Sequence, residues 1–170
     1  TVINAGNLIL TKSATNIGIP SGSTLILNGG TVMQNNNQIP DNANVIVNGG
    51  TYRISSSTSN GNHSSETFNN LTVNGGLFKN GESAGGTLNI TGSTTLAGGN
   101  LSIIGSGSNA TLGGLLSISN GSLVTLGRSS GSGSTFDAVM TFSGGLSITN
   151  IASGAYVPLT VSSGTSTQNG

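Results

Sequence analysis

The stretch LILNGGTVM (residues 25–33) sets two alternating runs of branched apolar and small residues on either side of Asn28-Gly29-Gly30. The same pattern returns as VIVNGGTYR (45–53) and as LTVNGGLFK (71–79). Period-two alternation predicts a strand on each side of the triplet. A second marker keeps the same phase: Ile19-Pro20 recurs as Ile39-Pro40, each leading into a polar turn, SGS and then DNA. An antiparallel sandwich or barrel is the competing fold, because Asn-Gly also closes hairpins. A hairpin meander, however, has no need of one triplet at a constant interval with Ile-Pro in step. A parallel β-solenoid does need it, since each repeat of roughly 20 residues is one coil lying about 4.8 Å from the next.

Stacked coils put equivalent residues on top of one another. Leu25, Val45 and Leu71 are predicted to form one inward column, and Leu27, Val47 and Val73 the next. Thr31, Thr51 and Leu77 open the following face. Asn28, Asn48 and Asn74 are predicted to form an amide ladder along a corner, as in cross-β stacks. The pairs Gly29-Gly30, Gly49-Gly50 and Gly75-Gly76 supply the positive φ that a sharp corner requires.

The whole chain, 1–170, is expected to be a single all-β solenoid domain. Regular NGG coils fill 1–86, shorter and less regular coils 87–165, and a tail 166–170. From residue 87 the unit is expected to shorten, to TLNITGSTTLAGGN, LSIIGSGSNATLGG and LLSISNGSLVTLG. Two Ser/Gly/Asn-rich insertions, 54–66 and 127–139, read as loops bulging from one side. About seven to nine coils are expected, a rod of roughly 35–45 Å.

Composition narrows the function classes. Only 5% of the residues are charged, with zero net charge, whereas disorder usually goes with high charge and few β-branched residues. Gly, Pro and β-branched clusters interrupt every window long enough for a helix. Lys12, Arg53, Lys79 and Arg128 are too few and too scattered to track a phosphate backbone, so no nucleic-acid partner is expected. No apolar run reaches the roughly 18 residues of a membrane span. There is no cysteine, which removes disulfides and thiolate chemistry. Together with the neutral polar composition, this favours an exported bacterial protein. The chain opens at Thr1 without a signal-peptide pattern, so a processed or excised piece is expected.

The motifs with catalytic or ligand-binding counterparts elsewhere read as architecture. GSGSNA (105–110) follows a strand but leads into TLGGLLSIS rather than a helix, and the residue near 130 is Ser, so it fails as a dinucleotide loop. Gly127 to Gly133 lacks the Lys-Ser/Thr of a phosphate loop. Parallel β-helices can host glycan-cleaving enzymes, which use paired acids about 5–10 Å apart. The four acids are Asp41, Glu66, Glu82 and Asp137. Glu66 and Glu82 are read as solvated corner residues, and His63 as an exposed loop residue. No Ser-His-Asp set is evident, with Asp137 left open. Calcium-binding Asp repeats are absent, and Thr165-Ser-Thr167 is the single Thr-x-Thr pair. The six sequons, at Asn62, Asn70, Asn89, Asn100, Asn109 and Asn120, are expected by chance in so Asn-, Ser- and Thr-rich a chain. No catalytic, cofactor-binding or metal residue is expected, and no cofactor.

The segments TVINAGNLIL (1–10), STLILNGGTVMQNNNQIPDNANVIVNGGTY (23–52) and ETFNNLTVNGGLF (66–78) resemble the autotransporter-associated β-strand repeat, also called the passenger-associated transport repeat. Val2 to Leu8 is similar to that family's T-x-I-N-A-G-T-L element, with Asn7 in place of Thr. Asn28 to Val32 and Asn48 to Tyr52 are similar to its N-G-G-T-[VF] units, while Asn74 to Phe78 loses the Thr. The resemblance covers residues 1–80 well and the remainder only in style. It implies a right-handed β-helix in an extracellular bacterial protein, associated with secreted passengers and adhesive stalks. The expected function is therefore a non-enzymatic spacer or adhesin module, with cell-surface or glycan contacts as candidate partners. The alternative is a filament subunit joining head-to-tail through open coil ends, where Pro158 suggests a last coil unpaired on one side. A carbohydrate-active β-helix enzyme is the third reading.

Overall fold

In the computed structural model the chain is an all-β parallel solenoid, with no helix among the described residues. Those are residues 1–11, 18–35, 37–54, 64–81, 86–104, 108–119, 121–127, 138–149, 159–162 and 168–169. Coil one holds β1 (Val2–Ile3) and β2 (Asn7–Leu10), coil two β3 (Thr24–Leu27) and β4 (Thr31–Gln34), and coil three β5 (Asn44–Val47) and β6 (Thr51–Ile54). From coil four a third strand joins each coil. The sets are β7 (Glu66–Phe68), β8 (Asn70–Val73) and β9 (Leu77–Asn80), then β10 (Thr87–Ile90), β11 (Thr94–Ala97) and β12 (Asn100–Ile104). They continue as β13 (Asn109–Leu112), β14 (Leu116–Ser119) and β15 (Leu123–Gly127), then β16 (Val139–Phe142), β17 (Leu146–Ile148) and β18 (Leu159–Ser162). β19 (Gln168–Asn169) follows.

The strands stack into three sheets. Sheet one runs β1-β3-β5-β8-β11-β14-β17, sheet two β2-β4-β6-β9-β12-β15-β18, and sheet three β7-β10-β13-β16-β19. Every pairing is parallel, including β3 with β5 and β6 with β9. Seven rungs at the parallel interstrand spacing make a rod of roughly 30 Å, at the short end of the expected count. Leu25 pairs with Val45 and Val45 with Leu71, all fully buried; Leu27, Val47 and Val73 form the neighbouring buried column. In sheet two, Val32, Tyr52 and Phe78 share a buried column. The Tyr52 and Phe78 rings stack at 4.8 Å, and Phe68 meets Phe78 edge-on at 5.8 Å. Complete burial of each such side chain is worth about 1.5–3 kcal/mol. One buried column breaks the pattern: Thr94 lies between Leu71 and Leu116, and its hydroxyl has no hydrogen-bond partner.

The corner between sheets one and two explains the triplet. Gly30, Gly50 and Gly76 have φ of +82°, +75° and +73°. The preceding glycines serve clearance instead. A Cβ on Gly29, Gly49 or Gly75 would stand 2.7, 2.7 or 2.6 Å from the backbone oxygen of Asn4, Asn28 or Asn48. Hydrogen bonds cross the corner without interruption, as Asn48 N–H donates to Leu27 O at 2.8 Å and Thr51 N–H to Gly30 O at 3.0 Å. The Ile-Pro segments also stack. Ser23 N–H bonds Pro20 O, Ala43 N–H bonds Pro40 O, and Gly18 N–H donates to Gln38 O at 2.6 Å. Ile19 and Ile39 point into the core.

Three expectations are corrected. The repeat does not shorten after residue 87: Leu71 pairs with Thr94, and Thr94 with Leu116, steps of 23 and 22 residues. Each of these coils holds three strands separated by Gly-bearing corners, so parts of one coil resemble a complete short unit. The edges of the two insertions are strand, since Ile54 closes β6, Glu66 opens β7, Gly127 closes β15 and Val139 opens β16. Residues 55–63 and 128–137 lie outside the described residues. In GSGSNA, Asn109 and Ala110 already belong to β13, while 105–107 lie outside the described residues.

The two duties of glycine predict unequal mutational costs. Gly22 has φ +68°, but a Cβ added there would meet only Asn42 Nδ2, at 3.8 Å. Gly22→Ala is therefore expected to cost about 1 kcal/mol, the backbone strain alone. Gly50→Ala adds collisions with Gly30, whose nitrogen would lie 2.9 Å away and whose oxygen closer still. It is expected to lower stability by more than about 3 kcal/mol. Urea unfolding followed by circular dichroism distinguishes the two.

Candidate functional site

The described surface is a set of periodic columns. At the first corner, Asn28 Nδ2 donates to Asn4 Oδ1, Asn48 Nδ2 to Asn28 Oδ1, and Asn74 Nδ2 to Asn48 Oδ1, each at 2.8 Å. The ladder thus has four rungs, with Asn4 as the first. It ends in coil five, where Ala97 follows Leu96 as Asn74 follows Val73. The signal for Asn4 is Ile3-Asn4-Ala5-Gly6, which has the spacing of Leu27-Asn28-Gly29-Gly30 with Ala5 in place of the first glycine.

A second amide ladder lies on the outer face of sheet one. Asn70 Nδ2 donates to Asn44 Oδ1, and Ser93 N–H to Asn70 Oδ1, both at 2.8 Å. Beside it runs the outward column Ile26, Ile46, Thr72, Thr95, Ser117 and Ser147. Asn44, Ile46, Asn70, Thr72, Ser93 and Thr95 line a shallow uncharged depression of about 350 Å³. Sheet two places Arg53 beside Lys79 on its outer face, both partly exposed. Sheet three presents Thr67, Asn89, Thr111 and Thr141 in one file.

One carboxyl lies inside. Glu66, expected at a solvated corner, is 1% exposed. This is a correction: Glu66 is the inward-facing first residue of the β7 edge strand, and the coil above it there is the irregular Ile-Pro segment. Its Oε2 accepts hydrogen bonds from the Gln38 N–H at 2.8 Å, the Ile39 N–H at 3.2 Å and Gln34 Nε2. The Thr67 N–H donates to its Oε1 at 3.1 Å. Tyr52 Oη donates to Gln34 Oε1, extending the chain of buried polar groups. Glu66 thereby satisfies backbone donors that a regular strand would have satisfied. Burial raises its carboxyl from 4.5 to about 7, against the lowering effect of the four hydrogen bonds it accepts. Burial, with the Glu66 carboxylate second, also holds the Tyr52 hydroxyl well above its usual range.

A carboxyl so enclosed cannot reach a glycosidic bond. Asp41 is exposed beside the Pro40 turn, while Glu82, Asp137 and His63 lie outside the described residues, as do Pro158 and Thr165 to Thr167. Among the described residues no group of three His, Asp or Glu is placed to hold a metal. No helix among them is long and apolar enough to cross a membrane. No family model, curated protein or solved structure matches the chain.

Glu66 predicts a pH dependence with a definite sign. Between pH 4.5 and 7 the folded protein holds a proton that the unfolded chain has released, so stability falls as pH rises through that window. Below pH 4.5 and above pH 7 the contribution is flat. The full span is on the order of 3 kcal/mol. Glu66→Gln keeps the shape and removes the slope. Unfolding midpoints of the two proteins across roughly pH 4 to 8 check this.

Proposed function

We propose that the chain is a non-enzymatic β-solenoid rod, a spacer or stalk segment of an extracellular bacterial protein. The observation that carries this reading is the stack of backbone hydrogen bonds from coil to coil, joined over the first four coils by Asn amide bonds. A rod held this way needs no metal, disulfide or charge network, and every coil contributes length rather than a distinct site. Two features support the reading. The one buried carboxyl among the described residues is committed to backbone donors, and from coil four on the outer files of sheets one and three carry neutral Thr, Ser and Asn in most rungs. The resemblance of residues 1–80 to autotransporter passenger repeats supports placement outside the cell. Cell-surface or glycan contact through the uncharged outer face of sheet one belongs to the same proposal. Head-to-tail filament growth is the second reading, favoured by the edge positions of β1 and β2 in their sheets.

The test is removal of one whole coil. Deleting residues 94–115 joins Ser93 to Leu116 and restores the register, because Thr94 pairs with Leu116 and Leu101 with Val124, while the Gln34, Gln38 and Ile39 partners of Glu66 stay in place. The shortened chain, displayed on a bacterial surface, is expected to stay folded and protease-resistant, with reach reduced by about 4.8 Å. Deleting 94–104 alone, half a coil, is expected to abolish protease resistance. Loss of a discrete binding or cleaving activity on whole-coil deletion would contradict a spacer role.

A further inference from the structure

Asn-Gly is the dipeptide most open to spontaneous succinimide formation, because glycine carries no Cβ to shield its own nitrogen. The corner triplet contains it three times, as Asn28-Gly29, Asn48-Gly49 and Asn74-Gly75, each followed by a second glycine. Identical neighbours give the three bonds the same intrinsic reactivity, and all three asparagines are exposed to water. The fold distinguishes them by what holds the side-chain amide. Asn28 and Asn48 are interior rungs, each donating through Nδ2 to the preceding coil and accepting at Oδ1 from the following one, at 2.8 Å. Asn74 donates to Asn48 in the same way. The rung beyond it is Ala97, which has no amide to give. The attacking nitrogens do not differ between Asn48 and Asn74: the Gly49 and Gly75 N–H groups donate to Leu27 O and Val47 O, both at 3.3 Å.

We propose that the Asn ladder is a lock against this rearrangement, and that Asn74, its last rung, is the site of spontaneous deamidation in the folded rod. The Gly75 nitrogen attacks Asn74 Cγ. The new N–Cγ bond forms, the Cγ–Nδ2 bond breaks, and Nδ2 leaves as ammonia with the proton from the Gly75 nitrogen. Water then opens the ring to aspartate or isoaspartate. Ring closure swings Cγ onto the Gly75 nitrogen and so breaks the bonds the amide makes along the ladder. An interior rung breaks two and the last rung one. One neutral hydrogen bond changes such a local opening by about fivefold. The product does not fit back into the corner. Either acid lacks the donor that bonded Asn48 Oδ1, and isoaspartate adds a main-chain carbon next to Gly75. An added Cβ on Gly75 would already stand 2.6 Å from Asn48 O. Deamidation at Asn74 is therefore an irreversible mark of corner opening, placed where the ladder ends. It is independent of the spacer reading, which concerns what the rod holds apart.

The experiment follows the folded protein, and the same chain unfolded in denaturant, by tandem mass spectrometry over time at one pH. Unfolded, the three Asn-Gly sites are expected to deamidate at equal rates. Folded, all three slow, and Asn74 reacts about fivefold faster than Asn48. Two variants move the end of the ladder. Ala97→Asn adds a rung and is expected to slow Asn74 to the rate of an interior rung. Asn74→Ala removes a rung and is expected to raise the Asn48 rate to the one Asn74 shows in the parent chain. Circular dichroism checks that each variant is folded, and Asn74→Ala, at an exposed outward position, decides the matter even if Ala97→Asn fails to fold. Equal rates at the three sites in the folded protein, Asn28 or Asn48 reacting first, or an Asn48 rate unmoved by Asn74→Ala overturns the proposal.

Discussion

Everything in this fold depends on how closely one backbone corner lies upon the next. In a regular parallel sheet the strands bond and the turns between them are free to splay. Here the ladder passes through the turn: Asn28, Asn48 and Asn74 donate to Ile3, Leu27 and Val47 at 2.8 Å, and Thr31, Thr51 and Leu77 donate to Gly6, Gly30 and Gly50 at 2.8–3.0 Å. That continuity leaves no volume for a side chain at the clearance positions. Once the corner is fixed, the register of two sheets is fixed with it, and Leu25, Val45 and Leu71 must stack. The Asn amides add neutral bonds along the outside of the same corner. A rod organised by such contacts has little use for charge, which gives a physical sense to a chain with 5% charged residues.

The third side is where regularity is lost and polar groups enter the interior. Ile19-Pro20, between coils one and two, and Ile39-Pro40, between coils two and three, stand where later coils have a strand, and proline cannot donate to a ladder. Sheet three therefore begins only at β7, with an irregular segment over its edge. Glu66, Gln34 and Tyr52 fill that mismatch by turning inward and bonding to one another and to the Gln38 and Ile39 backbone. A buried carboxyl is an expensive device. Its effect is to cap the edge of a sheet that starts midway along the rod.

The sequence made the corner legible because identical residues recur wherever identical backbone is required. Leu25, Val45 and Leu71, and the NGG triplets themselves, could be placed in register from their spacing alone. Coils five and six were harder to read, since three short strands with glycine-bearing corners satisfy a roughly 14-residue period as readily as one of about 22. Thr94 in an otherwise aliphatic column hides the true phase. Glu66 could not be placed from sequence, because it stands at the end of a Ser-rich stretch and its burial depends on Gln38, 28 residues earlier. Asn4 was hidden by Ala5, which stands where Gly29, Gly49 and Gly75 stand in the next three coils.

Native-state hydrogen exchange tests the central claim most directly, because it compares corner and strand amides within one folded molecule. If corner stacking organises the rod, the amides of Asn48, Thr51, Asn74 and Leu77 exchange as slowly as the strand amides of Ile46 and Thr72 and open together with them. Corner amides that exchange at loop rates while the strands stay protected would contradict it, and would leave the sheets as the only element holding the coils together.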